Sequence, residues 1–255
     1  MFDTLNVYVD GAIGRVELNQ PDKLNPLSRL ALSELAEAAR CLDKQPTVKV
    51  VVVSGVGRAF SAGADLATFQ GQPEDDLRAA ADQGRLMAEA LESMRAVSIA
   101  AIHGWCVGGG LVLAAACDLR VATESAKFSI PEVDLGIPLA WGGIPRLVRE
   151  IGPARTKELV MTCRPFGASE ALASGFLNRV VVEQDLKVSV DELAKQLAGK
   201  ASHALFATKR HVNAVTEQMV GTMRSWSDAD GLLVAFTEDE CTEARERYLE
   251  HKGAR

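Results

Sequence analysis

No apolar run in this chain approaches the ~18 residues that a membrane-crossing helix requires, so no such span is expected. The opening residues Met1-Phe2-Asp3-Thr4 lack a basic segment followed by an apolar one, so no secretory leader is expected. Basic residues are in deficit, with 28 Lys and Arg against 34 Asp and Glu and a formal net charge of −6. A nucleic-acid partner is therefore not expected. The five cysteines (Cys41, Cys106, Cys117, Cys163 and Cys241) form no C-x-x-C pair and no metal-ligand spacing, so no metal site is expected. They read as small buried hydrophobes of a reducing, cytoplasmic compartment. His103 and His211 stand alone and read as structural or surface residues. A G-x-S-x-G elbow is missing, which argues against a serine hydrolase. Gly55-Val56-Gly57 follows an apolar run, but Phe60 occupies the third glycine position of a dinucleotide-binding fingerprint, and that reading fails.

What is present is a globular composition, 47% hydrophobic and 24% charged over 255 residues. That suffices for one large core, with or without a small appendage. Residues 5–9 and 13–18 alternate around Asp10-Gly11 and predict a β-hairpin. Ser28 opens a predicted helix running to about Lys44, with Leu32, Leu35, Ala39 and Leu42 on one face. Residues 48–53 and 97–102 read as buried strands, 118–122 as the start of another and 178–182 as a short one. A polar loop at 70–75 leads into a long helix to about Arg95. Pro153 suits the first turn of a helix ending near Cys163, and Ser169 suits an N-cap for 170–174. Beyond Leu186 the pattern is helical over about 187–199, 202–219 and 228–251. The last segment, with Leu232, Leu233, Val234 and Phe236, carries more apolar surface than a lone helix can bury.

The most informative stretch is His103-Gly104-Trp105-Cys106-Val107-Gly108-Gly109-Gly110-Leu111-Val112, where a buried strand gives way to a helix. Consecutive glycines leave backbone N–H groups open to close approach, and the first N–H groups of a helix have no intrahelical partner. Such a turn can hold an anion or a developing oxyanion; it can equally serve close strand–helix packing. A second strand runs into another loop of small residues, Ser54-Gly55-Val56-Gly57-Arg58-Ala59-Phe60-Ser61-Ala62-Gly63-Ala64-Asp65-Leu66. Two such loops can offer one N–H each to the same oxygen, which makes an oxyanion hole from main chain alone.

Together these loops, with Phe128-Ser129-Ile130-Pro131-Glu132, Leu135-Gly136-Ile137-Pro138 and Gly142-Gly143, resemble the crotonase superfamily, the enoyl-CoA hydratase/isomerase family. Order and spacing match over residues 1 to about 180. The resemblance implies an α/β fold, a spiral of ββα units, with a C-terminal helical oligomerisation region. It divides the chain into a core over 1–185 and a helical region over 186–255 that supports a homotrimer, or a hexamer built as a dimer of trimers, and completes the CoA site. It implies an acyl-CoA substrate, carried as a coenzyme A thioester, with no permanently bound cofactor and no membrane partner.

By the same resemblance the oxyanion donors are the amides of Ala64 and Gly109, and Glu132 is the acid/base. Lys23, Leu24, Ala62, Ala64, Asp65, Leu66, Gly108, Gly109, Pro131 and Trp141 are candidates for binding the acyl-CoA. Lys209 and Arg210 are weaker candidates for its phosphates. The chain departs from the hydratase pattern at Val112, where a second catalytic glutamate is usual, and at Ala140 and Trp141, where small residues precede Gly142-Gly143. Asp134, two residues from Glu132, would share its side only if the segment were extended. One carboxylate suffices to move a proton between two carbons. The expected activity is therefore double-bond isomerisation of an enoyl-CoA; the alternatives are a 2-enoyl-CoA hydratase and a non-catalytic acyl-CoA binder.

Overall fold

The computed structural model describes residues 2–65, 74–225 and 227–253. Strands β1 (Leu5–Asp10) and β2 (Ile13–Leu18) form the expected antiparallel hairpin. After β2 the chain makes β3 (Pro26–Leu27) and α1 (Arg29–Asp43). It then repeats the step with β4 (Val50–Gly55), β5 (Gly63–Ala64) and α2 (Glu74–Glu92), and again with β6 (Val97–Ile102), β7 (Trp105–Val107) and α3 (Gly109–Ala115). A fourth step has β8 (Leu119–Thr123), β9 (Lys127–Ser129) and α4 (Gly143–Ile151). Next come α5 (Pro153–Thr162), β10 (Phe166–Gly167), α6 (Ala168–Ala173) and β11 (Arg179–Val181). Helices α7 (Leu186–Ala198), α8 (Ser202–Met219), α9 (Asp228–Thr237) and α10 (Asp239–Gly253) complete the chain.

The first strand of each step joins one sheet in the order β1-β2-β4-β6-β8-β11, parallel from β2 onward. The second strand enters a smaller layer, where β3 pairs with β5 and β9 pairs with both β7 and β10. A single bridge between Ser61 and Cys106 ties these two pieces together. The result is a spiral of ββα units. The valine run of β4 shows how sequence sets the layers: Val51 and Val53 face the main core with α1, while Val50 and Val52 face a second cluster closed by Val190, Leu193 and Ala194 of α7. Because both faces are covered, the strand needs apolar residues at every position rather than alternation.

Several boundaries differ from expectation. The helix expected over 228–251 is broken at Glu238, whose ψ of 129° is extended. The apolar residues of α9, among them Leu232, pack inward with Ala81 of α2, whereas α10 is rich in charge and turns away at that residue. Helix α6 begins at Ala168 behind Gly167, so Ser169 lies inside its first turn and is no cap. Cys41 is exposed, contrary to the reading of all five cysteines as buried; Cys106, Cys117 and Cys163 are buried. Among the described residues, no helix is long and apolar enough to cross a membrane.

The loop before β3 is held by a residue whose role the sequence did not announce. Asn25 is buried at a left-handed φ of 54°. Its amide donates to Val56 O and Ala59 O, both at 2.9 Å, and its Oδ1 accepts from Gln20 N. Asn25→Ala leaves those carbonyls unpartnered. It should lower unfolding free energy by about 2 kcal/mol and Tm by roughly 4–8 °C, as read by denaturant and thermal melts.

Candidate active site

The site forms where two strands of the main sheet cross into the smaller layer. Their loops are laced by backbone hydrogen bonds: Phe60 N to His103 O (2.9 Å), Ser61 N to Trp105 O (3.1 Å) and Val107 N to Ser61 O (3.0 Å). His103 is not isolated, since its Nε2 lies 2.8 Å from Gly57 O. Buried Ser61 links both loops to the Asn25 turn; its Oγ donates to Asn25 O and accepts from Gly63 N. Gly63 has a φ of 91°, and a Cβ there would lie 2.6 Å from Val107 O. Only glycine lets these backbones come this close. The same hypothetical Cβ lies 3.5 Å from Gly109 N, so Ala64, next along the chain, arrives beside Gly109. Gly109 opens α3, where first-turn amides lack intrahelical partners.

Glu132 reaches this junction from a turn, not from an extended segment. Leu135 N donates to Pro131 O, and Ile137 N donates to Glu132 O. The turn sends Asp134 to the surface, where its amide meets Cys163 Sγ, so Asp134 does not share the side of Glu132. The Glu132 carboxyl lies over Gly108; a Cβ on Gly108 would stand 2.3 Å from Oε1. Gly108 itself has φ 48° and ψ −113°, which suits glycine alone. Glu132 is buried and its Oε2 has no hydrogen-bond partner. Burial pushes its pKa up to about 7, opposed weakly by its own backbone N–H. A carboxyl in that condition can give or take a proton near neutrality.

Around it lies an apolar pocket lined by Ala64, Gly109, Val112, Glu132, Leu139, Ala140 and Trp141, with Leu232 and Phe236 of α9 at its wall. Among the described residues lining it, Glu132 is the one ionisable side chain. Pro131 is half-buried beside Glu132. Leu24 and Ala62 meet through an Ala62 N to Leu24 O bond (2.8 Å), and Asp65 N donates to Leu27 O, so these residues sit together beside β3 and β5 and outside the pocket lining. Lys23 is exposed next to them. Leu66 lies outside the described residues. Lys209 is no phosphate ligand here: it is buried, donates to Ala96 O and pairs with Asp118 at 2.7 Å. Arg210 is exposed. The residues that sequence reasoning passed over are Asn25 and Ser61, which hold the loops, and Leu232 and Phe236, which reach the pocket from the tail. Excess apolar character in α9 was the one visible signal, and part of it serves the pocket.

This fold is found in solved structures of the same build. The chain superposes with a TM-score of 0.88 on an enoyl-CoA hydratase/isomerase from Xanthobacter autotrophicus Py2, at 26% identity over 98% of this chain and 93% of that one. It is 32% identical to a crotonyl-CoA hydratase from Syntrophomonas wolfei subsp. wolfei, over 93% of this chain and 91% of the relative. It is 33% identical to a peroxisomal Delta(3,5)-Delta(2,4)-dienoyl-CoA isomerase from Arabidopsis thaliana, over 92% and 90%. A layered ββα spiral of this kind is the crotonase fold. The model of the enoyl-CoA hydratase/isomerase family matches residues 9–255, and the chain belongs to that family of enzymes.

The raised pKa of Glu132 carries a stability consequence with a definite sign. The folded value lies above the unfolded value of 4.5, so between the two the folded state binds more protons. The penalty for burying the charged carboxyl is therefore absent below pH 4.5 and complete above about pH 7. Relative to wild type, Glu132→Gln should gain up to about 3 kcal/mol of unfolding free energy as pH rises through that window. Urea melts across the window measure it, and a flat difference would contradict the buried carboxyl.

Proposed function

We propose that the chain catalyses double-bond isomerisation of an enoyl-CoA, with Glu132 as its single proton carrier. The thioester carbonyl lies against the amides of Ala64 and Gly109. Glu132 takes a proton from the α-carbon, and the electron pair moves onto the carbonyl oxygen, giving a dienolate. The same carboxyl returns the proton to the γ-carbon, the double bond passes from the 3- to the 2-position, and nothing else is consumed. Each amide contributes on the order of 3 kcal/mol to stabilising the oxyanion. Lys23, Leu24, Ala62, Asp65 and Leu66 hold the CoA portion, while Gly108, Pro131 and Trp141 shape the acyl end.

The observation that carries this reading is that, among the described residues lining the pocket, Glu132 is the one ionisable side chain. Hydration must place a water as well as move a proton, and the side chain beside Gly109 at position 112 is a buried valine. Hydration is nevertheless the second reading, because the Syntrophomonas relative bears a hydratase name. Supplied separately with 3-enoyl-CoA and 2-enoyl-CoA, the enzyme should isomerise the first and leave the second unhydrated. Glu132→Gln should reduce kcat about 10³-fold, and kcat/KM should fall as pH drops below about 7 and the base is protonated. Efficient hydration of the 2-enoyl ester overturns the proposal; tight binding with neither reaction points to a binding protein.

The same reading takes the chain to be a homotrimer, or a pair of trimers. The exposed apolar residues Val212, Val215 and Met219 of α8, with Met223, support a contact between copies. Sedimentation of the purified protein as a monomer would contradict it.

A further inference from the structure

The pocket wall at Trp141 is built at some cost to the backbone. Trp141 has a φ of 61° and Gly142 a φ of 68°, two left-handed residues in succession, and the first is a bulky aromatic. Such a conformation persists in a large side chain only where its surroundings over-determine it. They do so here. Arg146 Nη1 donates to both Trp141 O and Gly142 O at 3.1 Å, and its Nη2 pairs with Glu92 of α2 at 2.6 Å. Asp228 of α9 accepts from Gly142 N at 2.8 Å. Three helices thus fix one turn.

The indole that this turn presents fills the space between α2 and the start of α3. A Cβ added to Gly84, in the interior of α2, would lie 1.9, 2.1 and 2.2 Å from Cδ2, Cε2 and Cγ of the ring. Three nearly equal distances mean that the glycine meets the flat of the indole. A Cβ on Gly109 would lie 2.3 Å from Cζ3, so the far edge of the ring rests on a residue that lines the pocket. Glycine is unfavourable inside a helix, and at position 84 its evident use is to admit this ring. The side chain is buried and lines the pocket.

We propose that Trp141, seated between Gly84 and Gly109, stops the acyl tunnel and restricts the enzyme to short acyl thioesters. The inference rests on the pocket being the acyl site. The indole occupies the gap between Gly84 of α2 and Gly109 of α3 and closes the pocket on that side to carbons beyond the reacting ones. Trp141 is a specificity-determining residue in this account and takes no part in proton transfer.

Binding of saturated acyl-CoA esters tests this without any turnover. Calorimetry with butyryl-, hexanoyl-, octanoyl- and decanoyl-CoA should show wild-type affinity falling steeply beyond hexanoyl. Trp141→Gly, whose new residue accepts the left-handed φ, should raise decanoyl-CoA affinity relative to butyryl-CoA by more than about tenfold. Gly84→Ala should push the ring into the pocket and weaken butyryl-CoA binding by about tenfold, and that loss should vanish when Trp141→Gly is added. An unchanged chain-length profile in Trp141→Gly, or a Gly84→Ala loss that persists in the double variant, overturns the inference. Wild-type protein that binds no acyl-CoA overturns the acyl-site reading as well, whereas binding with a flat profile overturns the chain-length limit alone.

Discussion

Backbone hydrogen bonds between two loops set the whole site. The bonds from Phe60, Ser61 and Val107 bring one loop against the other, and Gly63 lets them touch. That lacing places Ala64 beside Gly109. It also fixes Gly108, whose N–H donates to Ser129 O and whose missing side chain leaves room for the Glu132 carboxyl. A hole made of main-chain donors depends on neighbouring backbone geometry and little on its own side chains. The residues that matter most are therefore the ones holding the loops, Asn25 and Ser61, together with glycines at points of closest approach. The carboxyl is the opposite case. Its proton affinity is raised by burial of its own side chain in an apolar pocket.

Strands and junctions were legible in the sequence because their signals are local. Four valines in a row, five apolar residues among the six at 97–102 and glycine runs at strand ends each carry their structural meaning within a few positions. The spiral was not readable that way, and resemblance supplied it; the physical reason is that β3, β5 and β10 are two residues long and take shape only through pairing with distant partners. Glu132 was legible as a candidate, but its isolation among the described residues of the pocket was not. That depends on Asp134 being turned outward by a bend that residue types alone did not announce.

Two of the errors share one cause. Lys209 looked like a surface cation on a helix, yet Asp118 and the Ala96 carbonyl draw it inward. The final helix looked continuous, yet α9 and α10 have different obligations, one to the pocket and one to the surface. In each case a contact more than ~90 positions away outweighed the local pattern, as tertiary packing routinely does.

The hydrogen bond from Gly142 to Asp228 joins the pocket wall to the first turn of α9. Seating of the tail and the shape of the cavity are then two faces of one equilibrium. A ligand that fits the cavity better when α9 is docked must also hold α9 down, by the same factor in each direction. The carboxy-terminal segment thus reports on occupancy, and a change in that segment alone can alter what the cavity accepts.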